Sequence, residues 1–263
     1  FEYLELKEGS YSPIEVLRAM LRAKVDLLWV GGIGTYVKHS RESNIDVGDK
    51  ANDMIRINGH ELRAKIVGEG GNLGFTQLGR IEASLSGTRM NTDFIDNAGG
   101  VDCSDHEVNI KILLNSVLEN GDLTTKQKNN LLKTMTSEVA ESVLKNNLRQ
   151  AQAISLTEYE SSNSTGIFLQ LIEYLESEAL LDRELEFLPT ESEFAERVSN
   201  QQNFSRPELS VLVSYVKEDL KKKFADNAVA EDPYLRKILL NSFPEKLRKK
   251  FPERLAEHQL KKA

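Results

Sequence analysis

Short apolar runs alternate with amphipathic stretches over the first part of the chain. Residues 25–30 form an almost continuous apolar run, which is typical of a strand buried in a parallel sheet. Ile66 and Val67 are the apolar end of a second, short strand over residues 64–67. Residues 90–95 alternate in the period of a strand, whereas residues 46–56 and 80–85 have helical spacing. The pattern predicts about three parallel strands joined by crossover helices.

A glycine-rich loop follows each predicted strand. These loops are residues 31–35, 68–74 and 97–100. Glycine lets the backbone turn sharply and approach a ligand closely. Because the carboxyl ends of parallel strands meet at one edge of a sheet, we expect the loops to lie there, where open α/β proteins bind ligands.

Glycine almost disappears after Ser104, and helical spacing replaces the strand pattern. Ser104-Asp-His-Glu107 has the form of a capping box, which makes Ser104 a predicted N-cap. Further helices are predicted over residues 123–159, 164–181 and 191–198, from Ser205, and from Asp232. The predicted fold class is a partial, Rossmann-like α/β parallel sheet followed by an all-α helical region. The corresponding domains are residues 1–104 and 105–263.

Composition narrows the classes of function. The 263 residues carry a formal net charge of −7, with a pI near 5.3, which argues against nucleic acid as the main partner. The one cysteine, Cys103, excludes an internal disulfide and favours a reducing compartment, the cytoplasm. No apolar run approaches the roughly 20 residues of a membrane span. The chain starts at Phe1 without a methionine, which suggests a fragment of a longer protein.

The second glycine loop invites a nucleotide-binding interpretation. Gly68-x-Gly70-x-x-x-Gly74 after a strand is superficially similar to a dinucleotide fingerprint, although its spacing differs from the usual one. A glycine-rich turn without a ligand is the alternative interpretation of the same pattern.

Acidic residues cluster after the third predicted strand. They are Asp93, Asp96, Asp102, Asp105 and Glu107, with His106 among them. Such carboxylates can ligate a hard metal ion, but capping of helices and strand ends accounts for some of them, and no metal site is predicted. Cys103 has no patterned base nearby, so a buried or half-buried structural thiol is expected.

Three long motifs resemble the large bacterial NAD-specific glutamate dehydrogenases. They are Asp26-Leu-Leu-Trp-Val-Gly-Gly-Ile-Gly-Thr-Tyr-Val37, Gly68-Glu-Gly-Gly-Asn-Leu-Gly74, and Asn91-Thr-Asp-Phe-Ile-Asp-Asn-Ala-Gly-Gly-Val-Asp-Cys-Ser-Asp-His-Glu-Val-Asn109. The likeness continues at Ser205-Arg-Pro-Glu-Leu-Ser-Val-Leu212 and Asp232-Pro-Tyr-Leu235, and so covers most of the chain. The shorter glutamate dehydrogenases share a Glu-Gly-Ala-Asn loop, from which this chain departs at Gly71.

The resemblance implies a set of binding roles for NAD and glutamate. Gly31 and Gly32 would line the cofactor groove, and Asn72 would hold the nicotinamide-ribose end of NAD. Asn97 would lie against both nicotinamide and substrate, and Ser104 would bind the distal carboxylate of glutamate. The resemblance also implies that the pyrophosphate loop, the catalytic lysine and the catalytic aspartate lie upstream, so no catalytic residue is expected in this chain.

Three hypotheses follow. In the first, the chain is part of an NAD-dependent glutamate dehydrogenase that oxidises L-glutamate to 2-oxoglutarate and ammonia. It is then inactive alone, needs the upstream domains, and belongs to a homo-oligomer when full length. In the second, it is a helical interaction or regulatory module with a vestigial nucleotide-binding half-sheet. In the third, it is a complete small nucleotide-binding protein that uses residues 68–74.

Overall fold

The structure is a computed structural model that describes residues 2–225 and 232–258. It is mostly helical, with a small amount of parallel sheet. The strands are β1 (Leu27–Val30), β2 (Val37–Lys38), β3 (Ile57–Asn58) and β4 (Ile66–Glu69). The helices are α1 (Pro13–Leu21), α2 (Asn44–Val47), α3 (Gln77–Leu85), α4 (Asp93–Asp96), α5 (Ala98–Glu119), α6 (Thr125–Asn163), α7 (Thr165–Ser177), α8 (Glu191–Ser199), α9 (Arg206–Ala225), α10 (Pro233–Ser242), α11 (Glu245–Lys250) and α12 (Pro252–Ala256).

The chain forms two compact units. The first unit comprises residues 1–97 and 150–215, and the second comprises residues 98–149 and 216–263. The division into residues 1–104, as the second half of a Rossmann-like NAD-binding domain, and residues 105–263, as a C-terminal helical domain, remains a prediction. Within the described part of the chain, every helix is too short or too polar to cross a bilayer.

Residues 27–69 of the first unit contain two small parallel sheets. β1 pairs with β4, with Leu27 opposite Ile66 and Val30 opposite Glu69, and β2 pairs with β3. The two predicted strands at residues 25–30 and 64–67 are therefore confirmed, as is their parallel pairing.

The predicted strand over residues 90–95 is wrong. Arg89 makes a single parallel bridge to Ile66, and the next residues turn into the short helix α4. Met90 and Ile95 are both buried, although they would lie on opposite faces of a strand. The carboxylate of Asp93 accepts the Leu73 N–H, and that of Asp96 accepts the Glu69 N–H.

The helix predicted over residues 46–56 is also wrong. α2 is a single turn that ends at Gly48, whose φ of 73° lies in the left-handed region. A 3-10 turn over residues 50–52 follows. Arg56, the last residue of the predicted helix, is buried and donates to the backbone oxygens of Thr35 at 2.8 Å and Asp49 at 2.6 Å.

Polar N-caps set the start of several helices. A side-chain oxygen accepts a backbone N–H at the first turn of α1, α2, α3, α8 and α10; the capping residues are Ser12, Ser43, Thr76, Thr190 and Asp232. Each such cap satisfies an otherwise unpaired N–H group at the helix start. The Thr76 cap begins α3 directly after the second glycine loop.

Each unit has its own apolar core. In the first unit, one cluster packs the sheets on α3 and a second joins α7, α8 and the start of α9; their largest buried members are Phe75, Ile57, Ile172, Leu175, Phe194, Leu209 and Leu212. In the second unit, α5, α6, α11 and α12 share a core that includes Leu113, Leu114, Met135, Leu247 and Leu255. The predicted helices over residues 123–159, 164–181 and 191–198, and those starting at Ser205 and Asp232, are confirmed with small shifts at their ends.

The predicted start of the first long helix is wrong. α5 begins at Ala98, so the expected third glycine loop, residues 97–100, is mostly helical. Ser104 therefore lies inside the helix, where its hydroxyl donates to the Gly100 backbone oxygen at 3.2 Å and caps nothing. Cys103 is exposed rather than buried, because this turn of α5 faces solvent.

Candidate functional site

Two glycine loops meet at the carboxyl ends of β1 and β4. β1 ends at Val30 and β4 at Glu69. The N–H groups of Gly70 and Gly71 both donate to the Val30 backbone oxygen, at 2.9 and 3.0 Å. A Cβ atom on Gly71 would lie 2.7 Å from the Gly32 backbone oxygen, which is closer than real Cβ contacts allow. The loops after β1 and β4 are therefore in backbone contact, as expected of adjacent parallel strands.

The glycines of the second loop make room for side chains of β1. The indole of Trp29 lies over Gly68 and Gly70, so that a Cβ atom on either would come within 2.6 Å of the ring. A Cβ atom on Gly74 would lie 2.9 Å from Val30 Cγ1. Packing thus accounts for the spacing of these glycines, and the dinucleotide-fingerprint interpretation of the pattern is not needed to explain it.

An amide pair lies at the junction of the loops. Asn97 Nδ2 donates to Asn72 Oδ1. Among the described residues, Asn72 Nδ2 and Asn97 Oδ1 have no hydrogen-bond partner, so the pair presents an NH2 group that can donate and a carbonyl oxygen that can accept. Leu73 has a φ of 60° and is exposed. Gly31 and Gly32 are exposed as well. The arrangement can hydrogen-bond a planar carboxamide or a sugar hydroxyl.

A buried cluster of charged side chains holds the second glycine loop in place. Glu69 has no exposed surface and accepts from Arg80 Nε at 2.7 Å and Nη2 at 3.1 Å. Arg80 Nη2 also lies 3.2 Å from Asp93 Oδ2, which accepts the Leu73 N–H at 2.8 Å. Burial raises the pKa of Glu69 to about 7, and the Arg80 guanidinium opposes that rise.

A second carboxylate fixes the end of β4. Asp96 accepts the Glu69 N–H at 3.1 Å and the Asn91 side-chain N–H at 2.8 Å. Burial raises the pKa of the Asp96 carboxyl, and these two hydrogen bonds oppose the rise. Asp96 immediately precedes Asn97, so its contacts also place the amide pair.

The rest of the acidic cluster is used differently. Asp102, in the second unit, accepts from Asn146 Nδ2 at 3.0 Å and lies 3.8 Å from His106 Nε2. Among the residues that the structure describes, no three His, Cys, Asp or Glu side chains are arranged to hold a metal ion.

Comparison with known proteins decides the family. Residues 1–157 match the family model described as the catalytic domain of bacterial NAD-glutamate dehydrogenase, and residues 201–263 match that of the glutamate dehydrogenase C-terminal region. The chain belongs to the bacterial NAD-glutamate dehydrogenase family. The resemblance inferred from the three motifs is thereby confirmed.

Relatives of this family cover nearly the whole chain. It is 53% identical over 258 residues to the NAD-specific glutamate dehydrogenase of Pseudomonas aeruginosa and 52% identical over 257 residues to that of Halomonas elongata; each match covers 98% of this chain. It is 44% identical to the enzyme of the same name from Mycobacterium tuberculosis, over 95% of the chain. The chain spans 16% of the length of each of these relatives.

The geometry explains one departure from the shorter glutamate dehydrogenases. Where their loop has alanine, this chain has Gly71, and here the Gly32 backbone occupies the space that a methyl group would need. The close approach of the two loops therefore accounts for glycine at this position.

Sequence reasoning missed two arginines of the site. Arg80 lies 11 positions from its partner Glu69, and Arg206 lies 115 positions from its partner Asn91. The helical spacing of residues 80–85 gives no sign of the ion pair that Arg80 makes, and the motif of residues 205–212 gives no sign of the contacts of Arg206. Ser104, for which the resemblance implies substrate binding, belongs to the second unit.

Proposed function

We propose that this chain supplies the nicotinamide end of the cofactor site, together with the C-terminal region, of a longer NAD-dependent glutamate dehydrogenase. The reaction would convert L-glutamate, NAD and water into 2-oxoglutarate, ammonia and NADH, with the hydride passing from the substrate α-carbon to NAD. The observation that carries the proposal is the amide pair Asn72–Asn97 at the junction of two glycine loops, in a chain that belongs to this family.

The chemistry of the site suits the groups that it would bind. Asn72 Nδ2 is placed to donate to a ribose hydroxyl or to the nicotinamide carboxamide, and Asn97 Oδ1 to accept from the carboxamide or from substrate. The exposed Gly31 and Gly32 would form one wall of the groove, because they let the ligand approach the backbone. NAD would supply the hydride acceptor, and these residues would orient it. Ser104 is proposed to donate to the distal carboxylate of glutamate.

One face of the β1–β4 sheet carries exposed apolar side chains, which suggests that a further segment covers it. A parallel sheet is normally covered on both faces, yet Leu27, Trp29 and Ile66 are 56%, 60% and 47% exposed on β1 and β4. We infer that preceding residues of the longer chain cover this face and complete a Rossmann-like domain. They would also carry the pyrophosphate loop and the catalytic lysine and aspartate. The longer protein is proposed to act as a homo-oligomer in the cytoplasm, where the exposed Cys103 would stay reduced.

The test is a steady-state assay of the longer protein with L-glutamate and either NAD or NADP. The proposal predicts glutamate-dependent formation of NADH and little formation of NADPH. A protein that bound a nucleotide but reduced neither cofactor in the presence of glutamate would contradict it.

A further inference from the structure

We propose that Arg206, at the first turn of α9, is a positioning residue for the cofactor loop. It acts through Asn91 and Asp96 on the end of β4 and on Asn97. The claim rests on the proposed function for its kinetic consequence, but its structural part stands on contacts within the first unit alone.

Arg206 is held in one arrangement by its partners. It is 5% exposed. Its Nε and Nη2 atoms donate to Asn91 Oδ1 at 3.2 and 2.8 Å, and its Nη1 donates to Glu158 Oε2 at 2.7 Å and Ser155 Oγ at 3.2 Å. A buried guanidinium must keep such partners, because an unpaired buried charge is strongly unfavourable.

The start of α9 is itself anchored. The Ser205 backbone N–H and hydroxyl donate to Glu208 Oε2 at 2.7 and 2.6 Å, and Glu208 is fully buried. Gln77 Nε2, on α3, donates to the Pro207 backbone oxygen at 3.5 Å. Arg206 therefore extends from a fixed backbone, and its position is transmitted to Asn91.

Arg206 fixes the orientation of the Asn91 side-chain amide. Because two N–H groups of Arg206 bind the amide oxygen of Asn91, its Nδ2 is directed at Asp96 Oδ1, 2.8 Å away. Asp96 Oδ2 in turn accepts the Glu69 N–H at 3.1 Å. Asn97 follows Asp96 directly, and its own N–H donates to the Asp93 backbone oxygen at 2.8 Å. Arg206, Asn91 and Asp96 thus link α9 to the last residue of β4, Glu69, and to Asn97.

Lysine cannot replace Arg206 in this role. A lysine has one ammonium group, whereas the planar guanidinium serves Asn91 with two N–H groups and Glu158 with a third. Arg206→Lys keeps the charge beside Glu158 but loses the paired contact to the Asn91 oxygen. It therefore tests positioning with little change in net charge.

The experiment compares Arg206→Lys with Arg183→Lys in the longer protein. Arg183 is a matched control because it also forms a multiple contact, donating to Glu176 at 2.6 and 3.1 Å in the same unit, and it contacts neither Asn91 nor Glu208. Hydrogen exchange of a peptide over residues 66–75 should be about 10-fold faster in Arg206→Lys and unchanged in Arg183→Lys. kcat/KM for NAD should fall about 10-fold in Arg206→Lys alone.

A second variant tests the same link without replacing Arg206, in case Arg206→Lys fails to fold. Asn91→Ala removes the middle of the link while Arg206 keeps its contacts to Glu158 and Ser155, and it should speed exchange of residues 66–75 to a similar extent. Adding Arg206→Lys to Asn91→Ala should then change little, because the link is already broken.

Two results would overturn the inference. One is unchanged exchange of residues 66–75 in Arg206→Lys and Asn91→Ala. The other is equal acceleration in the Arg183→Lys control, which would indicate general loosening of the unit. If the parent protein failed to oxidise glutamate, the proposed function would fail, whereas the exchange measurement would still decide the positioning role of Arg206.

Discussion

At the residue scale, the burial of the Glu69 carboxyl makes the folding stability of the protein depend on pH. Its pKa is raised by burial from an ordinary value of 4.5 to about 7. Between these two pH values the unfolded chain has lost this proton while the folded chain retains it. Stability therefore falls as the pH rises through this window and levels off above about 7. The buried Asp96 carboxyl, whose pKa is also raised, contributes in the same direction.

We expect Glu69→Gln to flatten this pH dependence. The difference in unfolding free energy should be on the order of 3 kcal/mol across the window. The measurement is thermal unfolding of the 263-residue chain followed by fluorescence of Trp29, its one tryptophan, which lies in the first unit. Glu107→Gln, on an exposed part of α5, is the control and should leave the slope unchanged. Equal slopes for Glu69→Gln and the parent would show that the Glu69 carboxyl does not titrate in this window.

Ser104 is a second residue whose role the structure alters. It is exposed within α5, and its hydroxyl donates to the preceding turn. Ser104→Ala should therefore leave stability unchanged or raise it by about 0.5 kcal/mol, since alanine is the better helix former. If Ser104 has its proposed role, Ser104→Asp should raise KM for glutamate far more than KM for NAD, because it would place a negative charge against the substrate carboxylate. Steady-state kinetics of the longer protein with both variants would measure this, and an unchanged glutamate KM in Ser104→Asp would remove Ser104 from the site.

At the element scale, alanine substitutions at two glycines should have opposite effects, because one glycine lies in a helix and the other in a tightly packed loop. Gly100 lies within α5, and no described atom lies within 4 Å of a Cβ atom built there. Gly100→Ala should stabilise the protein by about 0.5–1 kcal/mol with activity retained. Gly71→Ala forces a methyl group against the Gly32 backbone, so it should separate the loops and raise KM for NAD. Thermal unfolding and kinetics of both variants check this. Harm from Gly100→Ala would favour the original loop interpretation of residues 97–100.

Helices and strands were predictable from the sequence where the pattern of apolar and polar residues fits only one type of element. The apolar run at residues 25–30 is a strand because β1 packs in a parallel pair, and the Asp232 cap was visible from Asp-Pro. Residues 90–95 were not predictable, because the same alternation is produced by a bridge at Arg89 followed by the turn of α4. The glycine loops of the site were found from their motifs. Arg80 and Arg206 were not, because long-range ion pairs leave no periodic signal.

At the scale of the whole molecule, the chain should not work alone. One face of the β1–β4 sheet is exposed, and the proposed partner segment lies outside this chain. We expect the isolated 263-residue chain to show no glutamate oxidation and little affinity for NAD, because binding must then order an incomplete site. Isothermal calorimetry and the NADH assay, with the longer protein as the positive control, measure both. Tight binding of NAD by the isolated chain would revive the hypothesis of a complete nucleotide-binding protein.

The central claim is that the Asn72–Asn97 pair holds the nicotinamide end of NAD beside the substrate. Its most direct test is kcat/KM of the longer protein with Asn97→Ala, with Asn120→Ala, an exposed amide at the end of α5, as the matched control. The account predicts a fall of about 10-fold or more, roughly 1.4 kcal/mol, in Asn97→Ala alone, with an unchanged far-ultraviolet circular dichroism spectrum. Normal kcat/KM in Asn97→Ala, or an equal fall in Asn120→Ala, would contradict it.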